Sequence, residues 1–258
     1  MAGESPWLAF AGAAPPGSTP LFCFPHGGGT ASVFHSFRRL LAPAFDVVGI
    51  ELPGRGSRFR EPLAVELDVI VDAVAEAITR RARGPFFLYG HSIGTLLAFE
   101  TTRALVARDH APAALFVSGR RAPPAPQRRD PDHPALVSTL SDTDLKALLA
   151  RYAGTPTAVL GHDELMRLYL PVLRHDFSLD ECYRHEPGPP LPLPIHAYAG
   201  SEDPLATPDE LDGWRAMTAT TFTVRVFDGG HFFPYERGAP GFCRELAERM
   251  RTPRVAEA

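Results

Sequence analysis

The sequence lacks any uninterrupted apolar run long enough to cross a bilayer, which argues against a membrane-spanning helix. Residues 1–7 lack the basic and apolar segments of a secretion signal, so we expect a cytoplasmic protein. An excess of one charge sign is also missing, because the net charge is −4 and 22% of the residues are charged. This balance gives no indication of binding to nucleic acid or to a membrane surface.

Cysteine is scarce, and the three cysteines are Cys23, Cys182 and Cys243. Their odd number, wide spacing and apolar surroundings do not favour a disulfide framework or a zinc site. We expect thiols buried in a core, and the sequence calls for no metal and no organic cofactor. With 258 residues the chain is long enough to bury that core in one domain, and we expect a monomer.

Apolar runs alternate with helical patterns along most of the chain, which predicts an α/β fold with a mostly parallel central sheet flanked by helices. The alternation stops between about 120 and 187. A segment rich in proline and arginine, 120–134, leads there into two helical patterns without a strand between them. We expect this insertion to be a helical lid. Its broad apolar surface fits either a channel for an oily substrate or packing against the sheet helices.

The segment Tyr89–Thr95 reads Tyr-Gly-His-Ser-Ile-Gly-Thr and follows an apolar run that predicts a buried strand. An amphipathic helical pattern comes directly after it. A serine at a tight strand-to-helix turn needs small residues two positions before and after it, and Gly90 and Gly94 meet that need. The pattern predicts a nucleophile elbow at Ser92. The backbone N–H of Ile93, at the helix N-terminus, is then suited to stabilise an oxyanion.

A glycine loop, His26-Gly27-Gly28-Gly29, follows an earlier predicted strand, Leu21–Phe24. A phosphate-binding loop would require a lysine after the last glycine, and Thr30 stands there instead. A flexible turn is the simpler alternative. We favour an oxyanion loop in which Gly27 supplies a second N–H donor, since glycines let the backbone approach a carbonyl closely.

A nucleophilic serine requires a base, and the base requires an acid that orients it. In elbow folds the acid follows a late strand and the histidine follows the last one. Asp203 comes just after the predicted strand 195–200, and His231 just after the predicted strand 222–227. Glu202 and Asp209 are alternative acids, but Pro204 fixes the chain beside Asp203.

Together these residues predict covalent acyl transfer. His231 takes the proton of Ser92 as the serine attacks an acyl carbonyl, and Asp203 holds the imidazole in the required tautomer. The N–H groups of Ile93 and Gly27 bind the oxyanion, and water activated by the same histidine then releases the acid. These residues alone do not distinguish a thioester from an oxoester.

Five motifs are distributed along the chain: Phe24–Gly29, Leu52–Arg58, Gly90–Gly94, Val117–Pro123 and Gly229–Phe233. Together they resemble the motifs of the stand-alone type II thioesterases of polyketide and nonribosomal peptide assembly lines, which belong to the α/β-hydrolase superfamily. The resemblance spans nearly the whole chain, although Gly27 and Ile93 stand where that family more often carries alanine and methionine. Both exchanges keep the backbone N–H.

The resemblance implies an editing hydrolase that removes stalled acyl groups from the phosphopantetheine arm of acyl or peptidyl carrier proteins. Carrier proteins are usually acidic, so an arginine patch beside the site is expected to dock them. Arg120 and Arg121 are candidates, and His26 is a candidate for contact with substrate or lid. The further arginines considered are Arg128, Arg129, Arg55, Arg58 and Arg60.

Two other functions remain open at this stage. A carboxylesterase or a chain-releasing thioesterase uses the same scaffold, and comparison of oxoester with thioester turnover separates them from an editing enzyme. A ligand-binding member of the fold without catalysis is the third possibility. The intact set of Ser92, Asp203 and His231 argues against it, and a fluorophosphonate probe tests it.

Overall fold

A seven-stranded sheet forms the centre of the computed structural model, which describes residues 5–10, 15–63, 66–123, 125, 136–152 and 157–251. The strands are β1 (Leu8–Ala9), β2 (Thr19–Phe24), β3 (Phe45–Ile50), β4 (Phe87–His91), β5 (Leu115–Ser118), β6 (Ile195–Gly200) and β7 (Phe222–Phe227). Their order across the sheet is β1-β3-β2-β4-β5-β6-β7. Only the short β1 runs antiparallel to its neighbour, so the mostly parallel sheet predicted from the sequence is confirmed.

Helices connect the strands and cover both faces of the sheet. The α-helices are α1 (His35–Leu41), α2 (Leu67–Arg81), α3 (Ile93–Val106), α4 (Asp142–Arg151), α5 (Thr157–Leu160), α6 (Asp163–Cys182) and α7 (Ala239–Arg251). Four 3-10 segments accompany them: Ala31–Phe34, Gly56–Arg58, Val137–Thr139 and Pro208–Met217. Among the described residues, no helix combines the length and the apolar character that a bilayer crossing requires.

Successive residues of the buried strands contribute to two different cores, because neighbouring side chains in a strand point to opposite faces. In β2, Phe22 and Phe24 belong to the core beneath α2 and α3. Leu21 and Cys23 belong to the core beneath α1 and α7. This double burial explains why the strands appear in the sequence as continuous apolar runs rather than as alternating ones.

The stretch between β5 and β6 carries α4, α5 and α6, which we call the helical insertion (described residues 136–152 and 157–183). It has a small apolar core of its own, formed by Leu140, Leu145, Leu148, Leu149, Met166, Leu170 and Leu173. The hydroxyl of Ser141 accepts a hydrogen bond from the Asp144 N–H at 3.1 Å, so this serine caps α4.

The expectation of three core thiols is wrong for one cysteine. Cys23 and Cys243 are buried, whereas Cys182 is the last residue of α6 and is exposed. The apolar residues around Cys182 in the sequence belong to the helix face that turns inward. The face of the helix on which Cys182 lies therefore decides its exposure, and the composition of the surrounding sequence does not.

Candidate active site

Ser92 occupies the corner between β4 and α3 with backbone angles φ 55° and ψ −124°. A non-glycine residue with positive φ is strained, and strain of this kind occurs where the surrounding structure holds a functional group in place. The Ser92 N–H donates to the Ser118 carbonyl of β5 at 2.9 Å, and the Ser92 carbonyl accepts from Thr95 N–H at 2.9 Å. The turn is thus fixed from both sides.

The two glycines of the elbow leave no room for a side chain. A methyl group on Gly90 would overlap the backbone of Gly94 and Thr95, where strand and helix pass each other. A methyl group on Gly94 would overlap the carbonyls of Phe24 and Pro25 instead. The second glycine therefore lets α3 approach the end of β2, which the elbow pattern alone does not reveal.

Asp203 and His231 meet at the carboxyl end of the sheet. The imidazole Nδ1 of His231 lies 2.9 Å from Asp203 Oδ2, and both side chains are buried. The other carboxylate oxygen, Oδ1, accepts from the backbone N–H groups of Leu205 at 2.9 Å and Ala206 at 3.3 Å. The carboxylate accepts at both oxygens, so the bond to Nδ1 fixes the proton there and leaves Nε2 as an acceptor. The alternative acids Glu202 and Asp209 are exposed.

Backbone contacts hold the loops that carry the acid and the histidine against each other. Glu202 N–H donates to Gly229 carbonyl at 2.9 Å, and Ser201 N–H donates to Phe227 carbonyl at 2.8 Å. A methyl group on Gly200 would overlap the Gly229 carbonyl, which shows how closely the two loops pass. The distance between acid and base is therefore set by main-chain geometry.

Gly119, the residue after β5, makes room for the histidine. It has a φ of 62°, and a methyl group there would lie 2.7 Å from His91 Cε1 and 3.0 Å from His231 Cε1. His91 directly precedes Ser92, and its ring centroid is 4.9 Å from that of His231. The structure thus brings the elbow, the end of β5 and the histidine loop together at one point.

The two expected oxyanion donors lie on adjacent segments. Ile93 is the first residue of α3, so its N–H belongs to the unpaired donors of a helix N-terminus. The glycine loop that contains Gly27 continues from Phe24 and Pro25, whose carbonyls face Gly94 in the first turn of the same helix. The N–H groups of Gly27 and Ile93 therefore belong to adjacent segments, as an oxyanion hole made of both requires.

His26 packs among rings beneath the glycine loop. Its Nδ1 lies 2.9 Å from the Gly27 carbonyl, and because a carbonyl only accepts, Nδ1 carries the proton. Its ring contacts Phe232 and Tyr235 at centroid distances of 5.0 and 5.6 Å. Burial, opposed by the bond to Gly27, lowers the pKa of His26 to about 4, so the imidazole is neutral at physiological pH.

His91 is a second neutral imidazole beside the site. Its Nδ1 lies 2.8 Å from Ser118 Oγ, and burial together with the nearby His231 lowers its pKa well below the usual value. A neutral His91 adds no positive charge next to His231 when the latter takes a proton.

The arginines considered for docking have partners within the chain. Arg120 pairs with Asp180 of α6, and each side chain is 11% exposed. Arg121 lies 3.6 Å from Glu210 and is 18% exposed. A positive patch built from Arg120 and Arg121 is thus largely neutralised in this conformation.

The other arginines considered for docking differ in their exposure. Arg55 and Arg58 are buried, and only Arg60 is exposed. Arg58 bonds to Glu61 and covers the ring of Trp7 at 4.0 Å. Arg128 and Arg129 lie outside the described residues. Most of the described arginines that were expected to form a docking patch are buried or paired with acidic side chains. The net charge of a segment does not reveal such pairing.

Asp176 of α6 is the residue near the site that the sequence analysis missed. It is 1% exposed and binds both ends of the Arg55 guanidinium, at 2.5 and 2.7 Å. Its Oδ2 also accepts from the Gly28 N–H at 2.7 Å. One feature of the sequence could have indicated its role: Asp176 lies on the apolar stripe of α6 that contains Met166, Leu170 and Leu173. An acidic residue on a buried stripe is expected to have a partner, because buried acids are paired.

A protein-family model described as "Thioesterase domain" matches residues 19–250 of this sequence. The chain belongs to the thioesterase family. Thioesterase PikA5 from Streptomyces venezuelae is 36% identical over 97% of this chain and 87% of its own length. A Streptomyces griseus protein described as a "probable cadicidin biosynthesis thioesterase" is 35% identical over 92% of this chain, which spans 64% of that relative's length.

Solved structures of this thioesterase's relatives agree with the fold described above. The type II thioesterase BorB from the borrelidin biosynthetic cluster superposes with a TM-score of 0.85 at 37% identity, covering 95% of this chain and 98% of BorB. RedJ, a thioesterase of the prodiginine pathway of Streptomyces coelicolor, gives 0.81 at 36% identity, covering 92% and 90%. The thioesterase has the α/β-hydrolase fold, as its sequence predicts. Among the described residues no cluster of histidine, cysteine or acidic side chains would hold a metal ion.

Proposed function

We propose that this chain is a type II thioesterase that hydrolyses acyl thioesters through an acyl-enzyme on Ser92. The observation that carries the proposal is the convergence of three strand ends. Ser92 is a strained residue at a helix N-terminus, the ring of its neighbour His91 lies 4.9 Å from that of His231, and His231 bonds to Asp203, which supports a Ser-His-Asp triad. Membership of the thioesterase family supports hydrolysis of a thioester.

In the proposed mechanism His231 Nε2 accepts the Ser92 proton as the hydroxyl oxygen attacks the thioester carbonyl. The N–H groups of Ile93 and Gly27 stabilise the oxyanion of the tetrahedral intermediate. The intermediate collapses with loss of the thiol, which takes the proton from His231. A thiol has a pKa of about 8.5 and so leaves with less acid assistance than an amine. Water activated by His231 then releases the carboxylic acid and restores Ser92.

We further propose that the thioester is presented on the phosphopantetheine arm of an acyl or peptidyl carrier protein, and that the enzyme edits stalled chains. The similarity to type II thioesterases from biosynthetic clusters such as BorB supports this substrate class. The helical insertion acts as the lid of the substrate channel in this proposal. The exposed Arg60 replaces the neutralised Arg120 and Arg121 as the first arginine to test for carrier docking.

The test compares three substrates that carry one acyl group: an acyl-carrier protein, an acyl pantetheine thioester and an oxoester. We expect release from the carrier to be fastest and to require Ser92. Rapid oxoester cleavage with an inert acyl-carrier protein would make the enzyme a carboxylesterase instead. Turnover of the acyl-carrier protein by Ser92→Ala would show that Ser92 is not the nucleophile.

A further inference from the structure

The peptide unit between Gly27 and Gly28 is held at both edges. Its carbonyl, on Gly27, accepts from His26 Nδ1 at 2.9 Å. Its N–H, on Gly28, donates to Asp176 Oδ2 at 2.7 Å. Because a peptide unit is planar, bonds at its two opposite edges fix the orientation of the whole plane.

Without these bonds the loop has considerable freedom. Glycine samples positive and negative φ with similar ease, and three glycines follow one another here. The direction of the Gly27 N–H depends on the torsions of Gly27, which end at the clamped plane. The clamp therefore restricts the group that we propose as an oxyanion donor.

The carboxylate that forms one half of the clamp is itself immobilised. Arg55 holds Asp176 through two hydrogen bonds, and the two side chains are 4% and 1% exposed. The planar guanidinium matches the carboxylate edge to edge, which fixes its orientation as well as its charge. Asp176 Oδ2 is thus presented to the Gly28 N–H in one direction.

Helix α6 also packs directly on the same loop. Gly28 has a φ of 73°, and a methyl group there would lie 2.6 Å from the Tyr169 hydroxyl and 2.8 Å from Leu173 Cδ2. Tyr169, Leu173 and Asp176 all belong to α6. The helical insertion therefore bounds the glycine loop on this side.

We propose that Asp176 is a positioning residue that couples the seating of the helical insertion to the geometry of the oxyanion hole. With α6 seated, Asp176 orients the Gly27–Gly28 peptide. With α6 lifted, the loop loses its acceptor and the Gly27 N–H is no longer fixed. This inference rests on the proposed function, because it takes Gly27 as an oxyanion donor.

The same helix offers a matched control. Asp180 lies one turn beyond Asp176 and pairs with Arg120, so it also joins α6 to the body of the fold through a mostly buried ion pair. That pair involves the loop after β5, whereas the clamp involves the glycine loop. Asp180→Ala therefore removes one ion pair of α6, while the contacts of Asp176, Tyr169 and Leu173 with the glycine loop keep the helix seated there.

The experiment measures kcat and KM on an acyl pantetheine thioester for Asp176→Ala, Asp176→Asn and Asp180→Ala. It also measures affinity for an alkyl boronic acid, which forms a tetrahedral adduct with the serine, and for the carboxylate product. We expect Asp176→Ala to lower kcat by about ten- to a hundredfold with little change in KM, because misplacement of a stabilising group acts on the transition state. Boronate affinity should fall in parallel and product affinity should not.

Asp176→Asn keeps an oxygen that can accept from Gly28, so it should retain more activity than alanine, and it serves as the test variant if alanine does not fold. In Asp180→Ala, kcat and the ratio of boronate to product affinity should stay within about threefold of the parent. Equal losses in Asp176 and Asp180 variants would overturn the positioning role. Turnover that persists in Ser92→Ala would instead refute the proposed function, so the two failures are distinguishable.

Discussion

The carboxyl edge of the sheet and the helical insertion are held together by different forces. At the sheet edge, backbone hydrogen bonds and glycine contacts fix the loops of Ser92, Asp203 and His231, and two large apolar cores lie beneath them. The insertion has a separate, smaller core, and it is joined to the rest of the molecule by the ion pairs of Asp176 and Asp180 together with packing contacts of α6, such as that of Leu179 with the main core.

The two regions therefore differ in what it would cost to separate them from the rest of the molecule. Separating backbone-bonded loops would expose apolar surface and leave main-chain groups unpaired, which is costly. Lifting the insertion as a unit would exchange its ion pairs for water and expose the few packing contacts of α6, while the core of the insertion would stay intact. We therefore propose that the sheet edge stays fixed while the insertion moves to admit substrate.

The largest effect is expected from Asp203→Asn. This change should leave the carboxyl edge of the sheet folded but move the imidazole proton of His231 from Nδ1 to Nε2. In Asp203→Asn, the backbone N–H groups of Leu205 and Ala206 hold the amide oxygen at the Oδ1 position. The amide nitrogen then donates to His231 Nδ1, so that Nε2 carries the proton and no longer accepts one. We expect kcat to fall on the order of 10³- to 10⁴-fold with unchanged stability. Steady-state kinetics and thermal unfolding of the variant test this prediction. A decrease in kcat of less than tenfold would contradict the proposed role of Asp203.

The second prediction breaks the close packing of the elbow. Gly90→Ala places a methyl group into the backbone of Gly94 and Thr95, and we expect the free energy of unfolding to fall by about 3 kcal/mol. Gly241→Ala is the matched control, because no atom lies within 4 Å of its methyl group and it sits in α7. That change should stabilise the protein by about 0.5 to 1 kcal/mol. Urea unfolding of both variants would contradict the packing argument if the two effects were equal.

A pair of core truncations tests whether the two regions open separately. Leu148→Ala removes a buried side chain from the core of the insertion, and Leu97→Ala removes one from the core beneath α3. Each should cost about 2 to 5 kcal/mol. In hydrogen exchange, Leu97→Ala should accelerate amides of β4 and β5 while leaving those of α4 and α6 unchanged. Equal acceleration of all four elements would mean that sheet and insertion unfold as one unit.

The smallest effect is expected from removing one of three histidines whose titration makes the stability of the fold depend on pH. Burial lowers the pKa of His26 and of His196 to about 4 and that of His91 well below its usual value. Below pH 6.5 the unfolded chain therefore binds protons that the folded chain does not, so stability falls as pH falls. Between about pH 6 and 5 each histidine should contribute about 1.4 kcal/mol per pH unit.

His196 isolates one of these contributions, because it lies in β6 away from the elbow and its Nδ1 bonds to Thr223 at 2.7 Å. His196→Asn keeps a polar group near that position and removes the titration. The slope of unfolding free energy against pH should then decrease by about one proton. An unchanged slope would show that His196 takes up its proton in the folded state.

Much of the fold was predictable, because its signals are local. Each buried strand is a short apolar run, and the candidate site residues follow strand ends at Ser92, Asp203 and His231. The 3-10 segment Pro208–Met217 was not predicted, although Thr207 and Glu210 form a capping box with proline after the cap. That start signal was present and was overlooked.

The clamp was not predictable in the same way. Arg55 and Asp176 are separated by 121 positions, and the pairing of two side chains leaves no local pattern. The sequence shows only that Asp176 falls on an apolar stripe, which indicates burial with a partner but does not identify it. For the same reason Arg120 looked like a free surface charge until the structure paired it with Asp180.

The central claim is that Ser92 takes the acyl group from the thioester. The most direct measurement is acid quenching during a single turnover of an acyl-carrier protein, followed by intact-protein and peptide mass spectrometry. We expect an acyl adduct on the peptide that contains Ser92 in the parent enzyme, and neither adduct nor turnover in Ser92→Ala. An adduct on another residue, or release of the acyl group by Ser92→Ala, would contradict the account.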